Sequence, residues 1–145
     1  MNAAQDAVAV QVSAQELLKK AYLLLSYGQY EEAIAACEEA SKVAPGHPLA
    51  AVLKGSFEMA VGRVNDALGT LRAVTNRHPE HPLALIYFAE ACFLAGRSAA
   101  AQRALAQLDK LTLSEALCEF RDELVQVWDS MALDIIPPAL VADIS

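Results

Sequence analysis

The chain has 145 residues, 55% hydrophobic and 6% aromatic, which fits one domain whose apolar content comes from the helix-favouring residues Ala and Leu. A formal net charge of -7 would repel a phosphate backbone and an anionic membrane surface, so nucleic acid and membranes are excluded as expected partners. Three widely spaced cysteines without a Cys-x-x-Cys pair favour neither a disulfide framework nor a zinc site, and we expect no metal ion and no cofactor.

Residues 1–13 are predicted to be an N-terminal extension in front of the first helical repeat. They have no basic start, and Asp6 stands before their short apolar stretch, so they lack the pattern of a secretory signal. No apolar run of the sequence approaches the length of a membrane-spanning helix. We therefore expect a cytoplasmic protein.

Residues 14–111 contain features that recur with a constant period of about 34 residues. The residues that recur at this one spacing are Gly28, Gly62 and Gly96; Ala33, Ala67 and Ala101; Pro45 and Pro79; and the dipeptides His47-Pro48 and His81-Pro82. Between them, apolar residues recur three and four positions apart, which predicts helices. Each Gly suits the left-handed end of a helix where the chain reverses, and the prolines suit the links between helix pairs. We predict three helix-turn-helix repeats, at 14–47, 48–81 and 82–111.

This period of about 34 residues and its punctuation resemble the tetratricopeptide repeat (TPR). The stretches that carry the resemblance are GQYEEAIAACEEASKVAPGHP, GRVNDALGTLRAVTNRHPEHP and GRSAAAQRALAQLDKL. The resemblance implies an all-α fold in which three TPR helix pairs stack as a short right-handed superhelix with a C-terminal capping helix. The departures from the family pattern are Leu17 where Trp is frequent, Glu58 at a usually apolar position, and a third repeat without its closing Pro.

A capping helix is predicted at residues 112–133. Thr112-Leu-Ser-Glu115 has the form of a capping box, with Thr112 as the N-cap. One face of the helix is charged, and the apolar residues that follow at helical spacing are Leu117, Phe120, Leu124, Trp128 and Met131. Residues 134–145 form a predicted extended tail, because Pro137-Pro138 cannot continue a helix.

The sequence offers little catalytic chemistry, and we expect a protein that is not an enzyme. It has neither a phosphate-binding glycine loop nor a Gly-x-Ser-x-Gly elbow. His78 and His81 have a spacing that could hold a metal, but a solvated turn is favoured because Pro79 lies between them. All three cysteines are interpreted as buried, inert thiols rather than reactive ones: Cys37, Cys92 and, less firmly, Cys118.

The resemblance to TPR proteins also implies a ligand surface, the concave groove lined by the first helix of each pair. The residues predicted to form this client-binding groove are Leu18, Tyr22, Leu25, Val52, Met59, Leu83, Ile86, Glu90 and Phe93. Most of these are apolar, which suits an extended or helical segment with aliphatic anchors. TPR domains that grip acidic chaperone tails use cationic residues in the groove. The corresponding residues here are Leu18, Tyr22, Leu53, Leu83 and Tyr87, which excludes a carboxylate clamp.

The sequence also resembles the chaperones of type III secretion that hold translocator or needle subunits. The shared features are three repeats, an acidic balance and an amphipathic C-terminal helix. The closest local likeness is YFAEACFLAGRSAAAQ. The resemblance implies a chaperone or adaptor that shields an apolar client segment, with Leu18, Tyr22 and Leu25 as gripping residues. The alternative is an assembly subunit that uses the same surface for permanent association. Burial of the groove by the chain's own ends or in a homodimer is also left open.

Overall fold

Residues 3–135 fold into seven α-helices, joined by short turns. A computed structural model describes the backbone of residues 3–135 and the side chains of residues 13–126, and no strand occurs in this part of the chain. The helices are α1 (Ala3–Ser26), α2 (Tyr30–Val43), α3 (Leu49–Ala60), α4 (Val64–Arg77), α5 (Pro82–Leu94), α6 (Ser98–Asp109) and α7 (Glu115–Ile135). The all-α fold with three helix pairs and a final helix is thus confirmed. None of the helices described is long and apolar enough to cross a membrane.

The turn inside each pair is built on the glycine predicted for it. Gly28, Gly62 and Gly96 have φ angles of 78°, 85° and 77°, the left-handed region that side chains disfavour. In the second pair, the N–H of Arg63 donates to the carbonyl of Glu58 at 2.8 Å, and that of Gly62 donates to the carbonyl of Met59 at 3.0 Å. These bonds satisfy the last carbonyls of the helix, so the chain reverses within a few residues.

The array curves because its first helices contact one another more extensively than its second helices do. Helix α1 contacts α3, α3 contacts α5, and α5 contacts α7. No comparable contact joins α2 to α4 or α4 to α6 in the described residues 3–135. The first helices therefore lie on the concave side, and the second helices splay apart on the convex side.

The two ends of the array differ from the sequence prediction in detail. Helix α1 runs unbroken from Ala3 to Ser26, so most of the predicted N-terminal extension belongs to the same helix as the first repeat. The prediction of Thr112 as N-cap is wrong: α7 begins at Glu115, and the Ser114 hydroxyl accepts the N–H of Leu117 at 3.3 Å. Residues 136–145 of the predicted tail, and the side chains of Trp128 and Met131, lie outside the described part.

Neighbouring repeats pack through one recurrent position of the first helix. Leu23, Phe57 and Ala91 occupy this position in the three successive repeats. Phe57 is 2% exposed because it packs into the first helix pair, and Ala91 is buried against the second pair. Leu23 is 56% exposed, and no core cluster of the described side chains includes it. Tyr27, one turn further, is 74% exposed, so the N-terminal end of the array is open.

Helix α7 closes the other end of the array. Its apolar side chains pack against Leu85 and Ile86 of α5 and Leu108 of α6; they are Leu117, Phe120 and Leu124. An ion pair adds to this contact, because Nη2 of Arg121 lies 2.8 Å from Oδ1 of Asp109. The capping role predicted for this helix is therefore visible in its packing.

The departure at Glu58 places a carboxyl group inside the second helix pair. The Glu58 side chain is 6% exposed, and its Oε1 accepts a hydrogen bond of 2.7 Å from the hydroxyl of Thr70 on α4. Burial raises the pKa of Glu58, and this effect outweighs the hydrogen bond and the attraction of Lys54, which act in the opposite direction. The charged form is thus the less favourable one in the folded state.

We expect this carboxyl group to make folding stability depend on pH. Because the pKa of Glu58 in the folded state is above 4.5, the ordinary value of a glutamate carboxyl group, the native state binds more protons than the unfolded state between these two values. Its contribution to the free energy of unfolding should rise as the pH falls through the folded pKa and level off below 4.5. Glu58→Gln removes this contribution, and the exposed Glu39→Gln is the control. Urea unfolding across this pH range measures the difference, and parallel curves for wild type and Glu58→Gln would contradict it.

Candidate functional site

The concave side carries a short row of polar and aromatic side chains from α1, α3 and α5. Tyr22, Ser56 and Glu90 occupy one position in the three successive repeats, and Tyr87 lies beside them. Tyr87 lies near enough to Tyr22 to raise the pKa of Tyr22, and Ser56 lies near enough to Tyr87 to lower the pKa of Tyr87. We call these four residues the concave row.

Aromatic side chains support this row from below and at one end. The ring of Tyr22 meets the buried ring of Phe57 edge to face, with centroids 5.3 Å apart. The ring of Tyr87 meets Phe120 of α7 in the same way, at 5.9 Å. Edge-to-face contacts hold aromatic rings in defined orientations. The rings of Tyr22 and Tyr87 are therefore held in defined orientations, although Tyr22 is 52% exposed.

The electrostatics of the concave row favour neutral groups. Burial raises the pKa of the half-buried Glu90. Burial also raises the pKa of Tyr22 and of Tyr87, and Ser56 opposes this effect at Tyr87. Glu90 supplies the single carboxylate of the row, and no Lys or Arg belongs to it. Such a surface suits apolar and aromatic groups, and none of its four residues is cationic.

Four of the nine residues predicted for the groove are packed inside the array. Val52 and Ile86 are fully buried, and Leu18 and Met59 are almost so. These four side chains are therefore not exposed on the concave side, and their role in binding a client stays a prediction. Val52 and Ile86 instead contact the following unit of the array: Val52 packs in a cluster with Ala84 of α5, and Ile86 packs in a cluster with side chains of α7.

The other five predicted residues are accessible to different degrees. Tyr22 is exposed, and the half-buried ones are Leu25, Leu83, Glu90 and Phe93. Leu25 is partly packed into the first core cluster, and Phe93 into the clusters of the second and third pairs. Tyr22 and Glu90 lie within the concave row. Their role in binding a client stays a prediction.

Sequence reasoning left out two residues that the structure brings to this surface. From the sequence, Tyr87 is identified only as a groove position without positive charge, and Phe120 only as a residue on the apolar face of the predicted capping helix. Tyr87 occupies the repeat position of Lys19 and Leu53, one turn before the position of Tyr22 and Ser56 in the helix. Comparing these two positions across the three repeats would have pointed to Tyr87. Phe120 lies outside the period, and only its contact with Tyr87 reveals its place.

The structure gives His81 a capping role and shows which cysteines are buried. The N–H of Ala84 donates to Nδ1 of His81 at 3.2 Å, so this histidine caps α5. No group of three potential metal ligands occurs among the described residues. Cys37 and Cys92 are buried as predicted, and burial raises the pKa of Cys37 to about 12. The same interpretation for Cys118 is wrong, since it lies exposed on the solvent face of α7.

Comparison with family models identifies the repeat. The model described as the tetratricopeptide repeat matches residues 24–85 and 58–117, which together make up more than half of the chain. The two matched stretches span the three glycine turns described above. A comparison with the sequences of curated proteins gives no significant match.

Solved structures with similar folds include both secretion chaperones and peptide-bound repeat domains. The type III secretion translocator chaperone SycD of Yersinia enterocolitica is 15% identical, with a TM-score of 0.72 over 83% of this chain and 90% of that chain. SycD in complex with a peptide of the translocator YopD is 16% identical, with a TM-score of 0.69 over 83% and 92%. The first TPR of Spaghetti (RPAP3), bound to the HSP90 peptide SRMEEVD, is 16% identical, with a TM-score of 0.65 over 79% and 92%. At these identities the likeness shows the shared fold alone.

Proposed function

Since the chain belongs to the tetratricopeptide repeat family, we propose that it is a protein-binding module that holds an apolar segment of a client polypeptide against the concave row. The observation that carries this proposal is the exposed ring of Tyr22, held edge to face on Phe57 beside Tyr87. Large aromatic side chains that are both exposed and fixed in place are typical anchors of protein interfaces. Ser56 and Glu90 leave room for a few polar contacts along the row.

Two features favour a client of the secretion-chaperone type over an acidic tail. SycD, which shares the fold, is described in complex with a peptide of the translocator YopD. The TPR of Spaghetti (RPAP3) binds the HSP90 peptide, which ends in Glu-Glu-Val-Asp. Such a tail needs cationic partners, and the concave row provides none. We therefore propose a cytoplasmic, non-enzymatic chaperone or adaptor, of the kind that shields a translocator before export.

Self-association is the second candidate, because a specific surface favours it. Leu23 and Tyr27 occupy positions whose equivalents, Phe57 and Val61, pack against the preceding repeat. Helix α7 covers the opposite end, so a second copy meets an open surface only at the N-terminal end of the described chain. Contact between two identical ends closes into a two-fold dimer rather than a filament. This dimer would leave the concave row accessible.

Identification of the client and calorimetry of the isolated segment test the proposed function. Mass spectrometry after capture from the native cell identifies the client, and overlapping peptides locate its bound segment. We expect a negative heat-capacity change on binding, because apolar surface is buried, and little dependence on salt. A segment whose binding is lost in Tyr22→Glu belongs to the concave row. If such a segment bound through its acidic residues, with an affinity that falls steeply with salt, the proposal would be contradicted.

The carboxyl group of Glu90 gives a further expectation for the same segment. Glu90→Gln should bind it more tightly, by about threefold, because a half-buried charge no longer has to lose water on binding. Burial raises the pKa of Glu90, so wild-type affinity should also increase as the pH falls through that pKa, while the variant stays constant. Glu80→Gln, an exposed residue of the α4–α5 turn, is the control. Equal pH dependence of wild type and Glu90→Gln would show that Glu90 does not face the client.

A further inference from the structure

A depression of about 500 Å³ opens on the convex side, away from the concave row. Its two walls are the outer faces of α2 and α4, the helices that splay apart. The floor between them is formed by apolar side chains that include Ala51 of α3 and Val74 of α4. Because it lies on the opposite face of α3 from Ser56, a ligand here would not compete with one on the concave row.

The depression arises from small side chains in the second repeat. Ala51 occupies the position of Leu17 in the first repeat and Leu85 in the third. Leu85 is buried in a cluster with Leu108, so in the third repeat this space is filled by the chain itself. An alanine at the same position removes three carbon atoms and leaves the space between α2 and α4 open. The cavity is thus specific to one repeat and does not follow from the repeat fold in general.

Positive charge surrounds this cavity, although the whole chain has a net charge of -7. Lys42 stands on the α2 wall and Arg77 on the α4 wall, and both are exposed. Neither forms an ion pair within the described residues. Glu38 is the single acidic residue of the lining, and Lys54, 3.3 Å away, already neutralises it. The other titratable lining residues are His47 and His78.

We propose that this convex depression binds an acidic segment of a partner polypeptide. Lys42 and Arg77 would pair with its carboxylates from opposite walls, and an adjacent apolar side chain would lie over Ala51. The guanidinium group of Arg77 can accept a carboxylate through two parallel hydrogen bonds. A protein segment fits better than a nucleic acid, because the strongly acidic remainder of the surface would repel a long phosphate backbone. The inference goes beyond the concave row and uses none of its residues.

Selection from a phage-displayed library of random peptides tests the proposal. The wild-type chain is the target, and the Ala51→Leu variant, in which a leucine fills the depression as Leu85 does in the third repeat, removes peptides that bind elsewhere. We expect the remaining peptides to combine Asp or Glu with one apolar residue. A fluorescein-labelled copy of the most enriched peptide should lose about tenfold or more in affinity for the double variant Lys42→Glu with Arg77→Glu. It should bind Tyr22→Glu as tightly as wild type.

Several outcomes would overturn the proposal. One is a selected set of peptides that is not enriched in Asp or Glu. Another is that the enriched peptide binds the Lys42→Glu, Arg77→Glu variant as tightly as wild type, or binds wild type equally well after its acidic residues are replaced by Asn and Gln. A third is that a single-stranded oligonucleotide binds the wild-type chain more tightly than the peptide does. Both charge reversals lie at exposed positions, and unchanged circular dichroism confirms that the fold is intact. Failure of the concave row to bind a client would leave this test unaffected, because Tyr22→Glu separates the two surfaces.

Discussion

Replacing Tyr22 with Glu should reduce the affinity for the client segment by about 30-fold or more, the loss expected for a central interface residue worth ~2 kcal/mol. The change removes the exposed aromatic ring of the concave row. It also introduces a second carboxylate, in addition to Glu90, into the surface that would contact an apolar ligand. Tyr22 is 52% exposed, so the fold itself should tolerate the substitution. Isothermal titration calorimetry with the mapped client peptide measures the effect, and circular dichroism checks the helical content.

Tyr27→Glu is the matched control, since Tyr27 is an exposed tyrosine on the same helix but lies at the open end of the array. It should leave client affinity unchanged and should abolish any dimer detected by light scattering. Tyr22→Glu should do the reverse. If Tyr22→Glu left client binding intact while Tyr27→Glu abolished it, the client surface would be the open end and the assignment to the concave row would be wrong.

Phe57→Ala should lower the free energy of unfolding by about 3–5 kcal/mol, the usual cost of truncating a buried aromatic side chain. Phe57 is 2% exposed and packs between the first and second helix pairs, where it also supports the ring of Tyr22. A domain of this kind has a total stability of about 5–15 kcal/mol, so the loss is a large part of the whole. Urea unfolding followed by circular dichroism measures it.

The control for Phe57→Ala is the same truncation at the equivalent position of the first repeat. Leu23→Ala should cost less than about 0.5 kcal/mol in dilute protein, because its side chain is exposed and no repeat packs on it. A loss at Leu23 that grows with protein concentration would instead indicate burial in a dimer. Equal losses at both positions in dilute protein would contradict the described packing of the first repeat.

The helices and their turns could be predicted because local chemistry decides them. A glycine is needed wherever the backbone takes a left-handed φ, and Gly28, Gly62 and Gly96 take it in three successive turns. Their even spacing along the chain then implies three equivalent helix pairs. The one local prediction that failed concerned Thr112, where two possible caps stand two residues apart and the packing of α7 selects Ser114.

The exposed part of the groove could be predicted only in part, because apolar residues surround the first helices on most sides. In α5, the sequence PLALIYFAEACFL has few polar residues to mark a solvent face. Both Ile86 and Tyr87 are plausible groove residues from the sequence, yet Ile86 packs among α6 and α7 while Tyr87 joins the concave row. Burial at these positions depends on contacts with the next unit, which the helical period does not contain.

The sequence by itself determined the repeat, the helix pairs and the glycine turns. Only the tertiary structure decided which side chains are exposed, because residues at equivalent repeat positions have different neighbours. Leu23 is exposed where Phe57 is buried, since Phe57 packs into the first helix pair and no described core cluster includes Leu23. Ala51 leaves a cavity between α2 and α4, whereas Leu85, at the equivalent position of the third repeat, packs against Leu108. The cavity depends on how separate helices pack, which the repeat period does not specify. A local period specifies the unit, while the stacking of units specifies the surface.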